Sequence, residues 1–188
     1  ERALALLGHL PALAPVIVVG ATREAASDLL RESLGAGGAL VGRQAMSLGQ
    51  LALRLAESDL ASRGLAPAGQ LATEAVAARA AFEDARRRPE GYFRPVSGLP
   101  GFPSALAQTL SDVRLAGLSP ADLAGQPAPT ADVGQLLDEY ERQMARARMA
   151  DRATLLTAAT AAVARGGTTV DGAAVVLLDV PIHAEVEC

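Results

Sequence analysis

Lysine is absent from this chain: all 17 of its basic residues are arginines. A Walker A loop needs a lysine to reach the β- and γ-phosphates, and Schiff-base chemistry needs a lysine amine, so both are excluded for these residues. Tryptophan is also absent; three Phe and two Tyr are the only aromatics, and the apolar half of the chain is mostly Ala and Leu. That composition favours helix. The single cysteine, Cys188, rules out an internal disulfide framework, and two isolated histidines, His9 and His183, lack zinc-ligand spacing. A reducing, cytoplasmic compartment is the expectation. No apolar run approaches the roughly 20 residues of a membrane-spanning helix, and the Ala-Leu stretch at 3–7 is too short for a signal peptide. A soluble chain with no membrane partner is expected. The net charge of −4 gives no overall basic field, so any nucleic-acid contact must be local.

A chain of 188 residues can bury a core as one ordinary domain or two small ones. It starts at Glu1 without Met and ends at Cys188 soon after an apolar run, and a fragment of something longer is the expectation. Leu4, Leu6, Leu7 and Leu10 suit a short helix that Pro11 and Pro15 end. Val16-Ile17-Val18-Val19 is a β-branched run without polar alternation, the pattern of a strand buried on both faces in a parallel sheet. After Gly20-Ala21, Thr22 stands where an N-cap belongs, Glu24 lies in the first turn, and Ala25, Ala26, Leu29, Leu30 and Leu34 recur at helical spacing. Gly35, Gly37 and Gly38 are placed to close that helix. Residues 39–46 form a weaker strand candidate, followed by Ser47-Leu48-Gly49-Gln50, which fits a capping box leading into a helix through Leu55.

From about residue 65 the period is helical: a helix over 71–88, a Gly- and Pro-rich loop over 89–101, and a helix entered at Pro103 and closed at Gly117. Ser119-Pro120-Ala121-Asp122 opens a short helix, a Pro-broken connector covers 126–130, and helices follow over 132–149 and 151–164, the last capped by Asp151. After Gly166-Gly167, Ala173–Leu178 reads as another buried parallel strand, ending in Asp179 at the edge where α/β folds place ligands. The expected fold is α/β: a parallel-sheet core from 1–62 and 166–188, with a helical insertion over 63–165.

The turn Gly20-Ala21-Thr22 joins the carboxyl end of a strand to the amino end of a helix, where free N–H groups and the dipole suit an anion. A plain helix cap at Thr22 explains the same residues, and a capping Ser47 needs no ligand either. Arg86-Arg87-Arg88 and Arg94, with Tyr92 and Phe93 nearby, could bind a nucleic-acid backbone and stack a base; equally, they suit a solvated helix end with two aromatic anchors.

Val18-Val19-Gly20-Ala21-Thr22-Arg23-Glu24-Ala25-Ala26-Ser27-Asp28-Leu29 resembles motif Ia of superfamily 1 helicases, in which the Thr touches the backbone of single-stranded DNA and the two alanines pack. Ser47–Leu55 resembles the family's motif Ib, with Ser47 matching its Thr and Gly49 replacing its His. The helical section is similar to the insertion of the AddB and RexB branch, through Pro100-Gly101-Phe102-Pro103, Val113–Leu118, Leu136–Glu141 and Asp151–Leu156, in that family's order. Val175–Asp179 sits where the Walker B strand would end in Asp-Glu. There the Asp holds Mg²⁺ and the Glu activates water. Val180 stands in place of the Glu, and Asp179 is a weak metal candidate at most.

The resemblance implies a P-loop-helicase-like core without ATPase activity, with no cofactor. It implies contact with single-stranded or unwound DNA through Thr22, Arg23, Ser47, Arg87 and Arg94, an AddA-like helicase-nuclease subunit as partner, and a PD-(D/E)XK nuclease domain downstream. The function implied is support of double-strand-break processing in DNA repair and recombination. Two other readings stay open. One is a helical protein-interaction module on a small α/β base with no DNA role. The other is a small α/β enzyme acting on a phosphorylated metabolite at the Thr22 turn, for which the sequence offers no base or nucleophile.

Overall fold

The structure, a computed structural model, describes residues 2–11, 13–34 and 41–180. The expected closure at Gly35, Gly37 and Gly38, the first residues of the strand expected over 39–46, and positions 181–188 with His183 and Cys188 lie outside the described residues. The chain is mixed α/β, with a small parallel sheet and many helices. Its described residues divide into two compact units, one formed by those up to Glu57 and by 158–180, the other by Ser58–Thr157.

The first unit contains helix α1 (Arg2–His9), strand β1 (Val16–Gly20), helix α2 (Arg23–Ser33), strand β2 (Arg43–Ser47) and the start of helix α3 (Leu48–Arg63). β1 runs parallel to β2, with Gly20 opposite Ser47. Its other edge runs parallel to the third strand of this sheet, Ala174–Leu178, with Gly20 opposite Leu178. All five residues of β1 are buried, because Val16 and Val18 face one apolar layer while Ile17 and Val19 face another. Leu7 of α1 and Ala26, Leu29 and Leu30 of α2 fill the first layer. Met46, Leu48 and Leu51 contribute to the second. Fully burying such side chains contributes about 1.5–3 kcal/mol each relative to exposure.

The strand Ala174–Leu178 departs from its reading as one buried on both faces. Val176 is buried, but Val175 and Leu177 are 46% and 57% exposed. The cause is position: it pairs only with β1 among the described residues, so it is an edge of the sheet. An apolar run reports that a strand is chemically able to be buried and says nothing of how many neighbours it has.

The second unit contains strand β3 (Ala66–Pro67), helix α4 (Gln70–Arg87), helix α5 (Phe102–Leu115), helix α6 (Pro120–Leu123), helix α7 (Thr130–Ala147), strand β4 (Met149–Ala150) and the start of helix α8 (Arg152–Arg165); the strand Ala174–Leu178 is then β5. Its core is a helix–helix layer. Ala77, Ala80 and Ala81 give α4 a narrow face against Leu106, Ala107 and Leu110 of α5 and Leu136, Leu137, Tyr140 and Met144 of α7. The period of these positions is helical throughout.

The region read as wholly helical also holds β3 and β4, which pair in parallel; the Ala66 N–H donates to the Arg148 carbonyl at 2.9 Å and the Ala68 N–H to that of Ala150 at 2.8 Å. Two residues are too few for a periodic signal. Helix ends follow local chemistry. Gly117 adopts φ +71°, and the Leu118 N–H reaches the Val113 carbonyl at 3.1 Å, closing α5 in a Schellman arrangement. Asp151 accepts the Thr154 N–H at 3.0 Å at the entry to α8.

Candidate functional site

Three parallel strands deliver three chain segments to one edge of the sheet. Beyond the carboxyl end of β1 stand Ala21, Thr22 and Arg23; Ser47 ends β2; Asp179 follows β5. Two helices, α2 and α3, start at this same edge, so their unpaired N–H groups gather where an anion is favoured.

Both hydroxyls act first as caps. Thr22 is extended, at φ −127° and ψ 159°, and its Oγ1 accepts the Ala25 N–H at 3.1 Å. Ser47 Oγ accepts the Gln50 N–H at 3.3 Å while Gln50 Oε1 accepts the Ser47 N–H at 3.0 Å, a reciprocal capping box. A hydroxyl that accepts still carries its own proton. Each cap therefore retains one donor for a ligand oxygen. Arg23 is exposed and makes no hydrogen bond or ion pair with a described residue.

The turn itself is tight. A Cβ on Gly20 would come 2.6 Å from the Thr22 carbonyl oxygen and 3.1 Å from the Ala26 nitrogen, so the strand passes into the helix with no room for a side chain. Of the two alanines that the helicase resemblance pairs in packing, Ala26 is buried and Ala25 is exposed.

At the β5 end, Asp179 is exposed with φ +45°. No group of three His, Cys, Asp or Glu side chains able to hold a metal ion occurs among the described residues. Val180, where the helicase pattern has its water-activating Glu, packs partly buried against the Ile17, Val19 and Met46 cluster. The edge thus gathers hydroxyl and N–H donors, the cation of Arg23 and the exposed carboxylate of Asp179.

The other basic candidates belong to the helical unit. Arg87 forms an ion pair with Glu139, a carboxylate only 2% exposed, and its Nε donates to the Glu83 carbonyl at 3.2 Å. Arg88 grips Asp84 through Nε and Nη2, each at 2.8 Å, and Asp132 through Nη1 at 2.9 Å. Arg86 lies 5.7 Å from the centre of the Phe82 ring. The Arg94 side chain is exposed and has no partner among the described residues. Of the neighbouring aromatics, Phe93 packs against the core and Phe102, while Tyr92 meets it edge-on and stays 56% exposed.

Sequence reasoning did not find the clamp around Arg114, whose Nε donates to Asp151 at 2.6 Å, whose Nη2 reaches Thr154 at 3.1 Å, and whose Nη1 pairs with Glu141. Its partners lie 27 to 40 residues away, and no local spacing signals them. A polar cleft of about 400 Å³ opens beside it, lined by Gln70, Thr73, Glu74, Ser104 and Gln108 among others. Ser104 Oγ donates to Glu74 at 3.4 Å there.

Among the described residues no helix is long and apolar enough to cross a membrane. No protein-family model matches the chain, and no curated protein shows significant similarity to it.

Proposed function

We propose that this chain is a helicase-like module without nucleotide turnover that holds single-stranded or unwound DNA along the carboxyl edge of its parallel sheet. In this reading it is part of an AddB/RexB-like protein that works with an AddA-like helicase-nuclease subunit in processing DNA double-strand breaks. One observation carries the proposal: two capping hydroxyls with spare protons, Thr22 and Ser47, share an edge with two helix N-termini and with the unpaired Arg23. A phosphodiester is the anion that such a row of short donors and one cation would hold. The ordered resemblance of 18–29, 47–55 and 100–156 to one helicase branch supports the same reading. The lack of lysine and the apolar role of Val180 support binding without hydrolysis.

The test is fluorescence anisotropy of a labelled oligothymidylate with the 188-residue chain. Binding at low salt that falls steeply as salt rises is expected. Arg23→Glu should weaken it about tenfold, and Thr22→Val should weaken it while costing about 1 kcal/mol of stability through the lost cap. Absence of binding at low salt, or affinity unchanged in both variants, overturns the DNA role of this edge.

A second reading, the helical protein-interaction module, is favoured by one specific feature, an apolar groove on the helical unit.

A further inference from the structure

Helices α4 and α7 leave a groove of about 490 Å³ between them. Its floor is made of Ala72, Ala75 and Val76 on one side and Ala147 and Met149 on the other. The three alanines keep the floor low, and Val76 and Met149, partly buried against the core, complete it, so a ridge of larger residues could descend between the two helices. Arg79 and Arg146 stand at its rim, both exposed. Neither forms a hydrogen bond or ion pair with a described residue, although Glu83 lies one turn beyond Arg79 on the same helix.

Those two cations stand out because most other arginines of this unit have partners. Arg87, Arg88, Arg114 and Arg142 are ion-paired with carboxylates, and Arg86 covers Phe82. The groove therefore combines an apolar floor with an unneutralised positive rim, in a chain whose net charge is −4.

We propose that this groove is a docking site for an amphipathic helix of a partner protein, one whose apolar stripe seats on the alanine floor and whose acidic flanks meet Arg79 and Arg146. Charge complementarity selects the acidic flank, since a basic one would face two unpaired guanidinium groups. The floor selects a helix over nucleic acid: its apolar side chains can bury the apolar stripe of a helix, whereas they offer a phosphodiester backbone no donor. The site uses none of the residues assigned to DNA above, so it stands or falls separately.

The probe is a fluorescein-labelled synthetic helix with Leu at i, i+3, i+4 and i+7 and Glu on both flanks, compared with an isomer carrying Lys on the flanks. The acidic peptide should bind the intact chain with a dissociation constant in the micromolar range, and the Lys isomer should not. The double variant Arg79→Glu/Arg146→Glu should weaken binding at least about tenfold, and Ala75→Glu should do likewise. All three positions are exposed, so thermal melts should match the parent chain. No binding of the acidic peptide, equal binding of both isomers, or affinity unchanged in the double variant overturns the proposal. Displacement of the acidic peptide by oligothymidylate, lost in the same double variant, would reassign the rim to phosphate and also overturn it.

Discussion

Glu139 shows how strongly a single residue can be committed to the fold. Burial opposes its ionisation, but hydrogen bonds from Arg87 and Gln143, with the charge of Arg142 added, outweigh that cost and hold its carboxyl below the ordinary glutamate range. A carboxyl whose native pKa is depressed stabilises the fold above its unfolded value, about 4.3, and that contribution is lost as pH falls through the native value. Glu139→Gln should therefore lower stability by about 1–3 kcal/mol at neutral pH and flatten the decline on acidification. Urea denaturation of both proteins between about pH 7 and pH 3 measures this, and an acid decline of equal steepness in the two would refute it. Arg87→Ala should cost less than Glu139→Gln, because the arginine is 48% exposed and Arg142 remains at 2.8 Å from the carboxylate. Arg94, with no partner to lose, should tolerate Ala within about 0.5 kcal/mol. Of the two arginines of the helical unit read as DNA contacts, Arg87 and Arg94, it is then Arg94 that is free to serve a ligand without disturbing the helical core.

At the scale of elements, the β1–α2 unit depends on Gly20. Its φ is not in the left-handed region; what demands glycine is space, since any Cβ would sit 2.6 Å from the Thr22 carbonyl oxygen and 3.3 Å from the Ala26 Cβ. Gly20→Ala should cost about 1–3 kcal/mol by overpacking this corner, and it should weaken binding at the sheet edge by displacing Thr22. Gly8→Ala, inside α1 where nothing lies within 4 Å, serves as the control and should leave the urea midpoint unchanged or raised. If Gly20→Ala were as stable as Gly8→Ala, the corner would have more room than its geometry allows. The same unit shows what could be read from residues alone. β1, the Thr22 cap, the Ser47–Gln50 box and the Asp151 cap were legible because each signal lies within a few residues of the structure it creates. The exposure of Val175 and Leu177 was not, since it depends on how many strands flank β5. Nor were the Arg114 clamp and the α4–α7 groove, which join residues dozens of positions apart; there, spacing carries no information. The candidate edge was legible as a turn and a cap, and only the pairing of β1 with β2, Gly20 opposite Ser47, placed the two caps at one edge.

For the molecule as a whole, the exclusive use of arginine has a consequence at high pH. Lysine ion pairs lose their charge near pH 10.4, whereas a guanidinium keeps its charge past about pH 12. The Arg87, Arg88 and Arg114 clusters should thus persist where lysine-paired proteins begin to loosen. The alkaline limit then falls to Tyr140, 3% exposed, whose phenol is pushed up by burial first and by the charge of Asp151 second, against a smaller opposing effect of Arg114. A group with a raised native pKa contributes stability that is complete below its unfolded value, about 10, and is lost as pH rises toward the native value. Above about pH 10 the unfolded chain releases the Tyr140 proton and the folded chain retains it, so stability should fall by up to about 1.4 kcal/mol per pH unit. Tyr140→Phe removes the titrating group while keeping the ring in the core, and should hold its urea midpoint level between about pH 9 and pH 11 where the parent declines. A parent midpoint that stays level over that range, or a variant that declines in parallel, would show that the burial of this phenol does not set the alkaline limit.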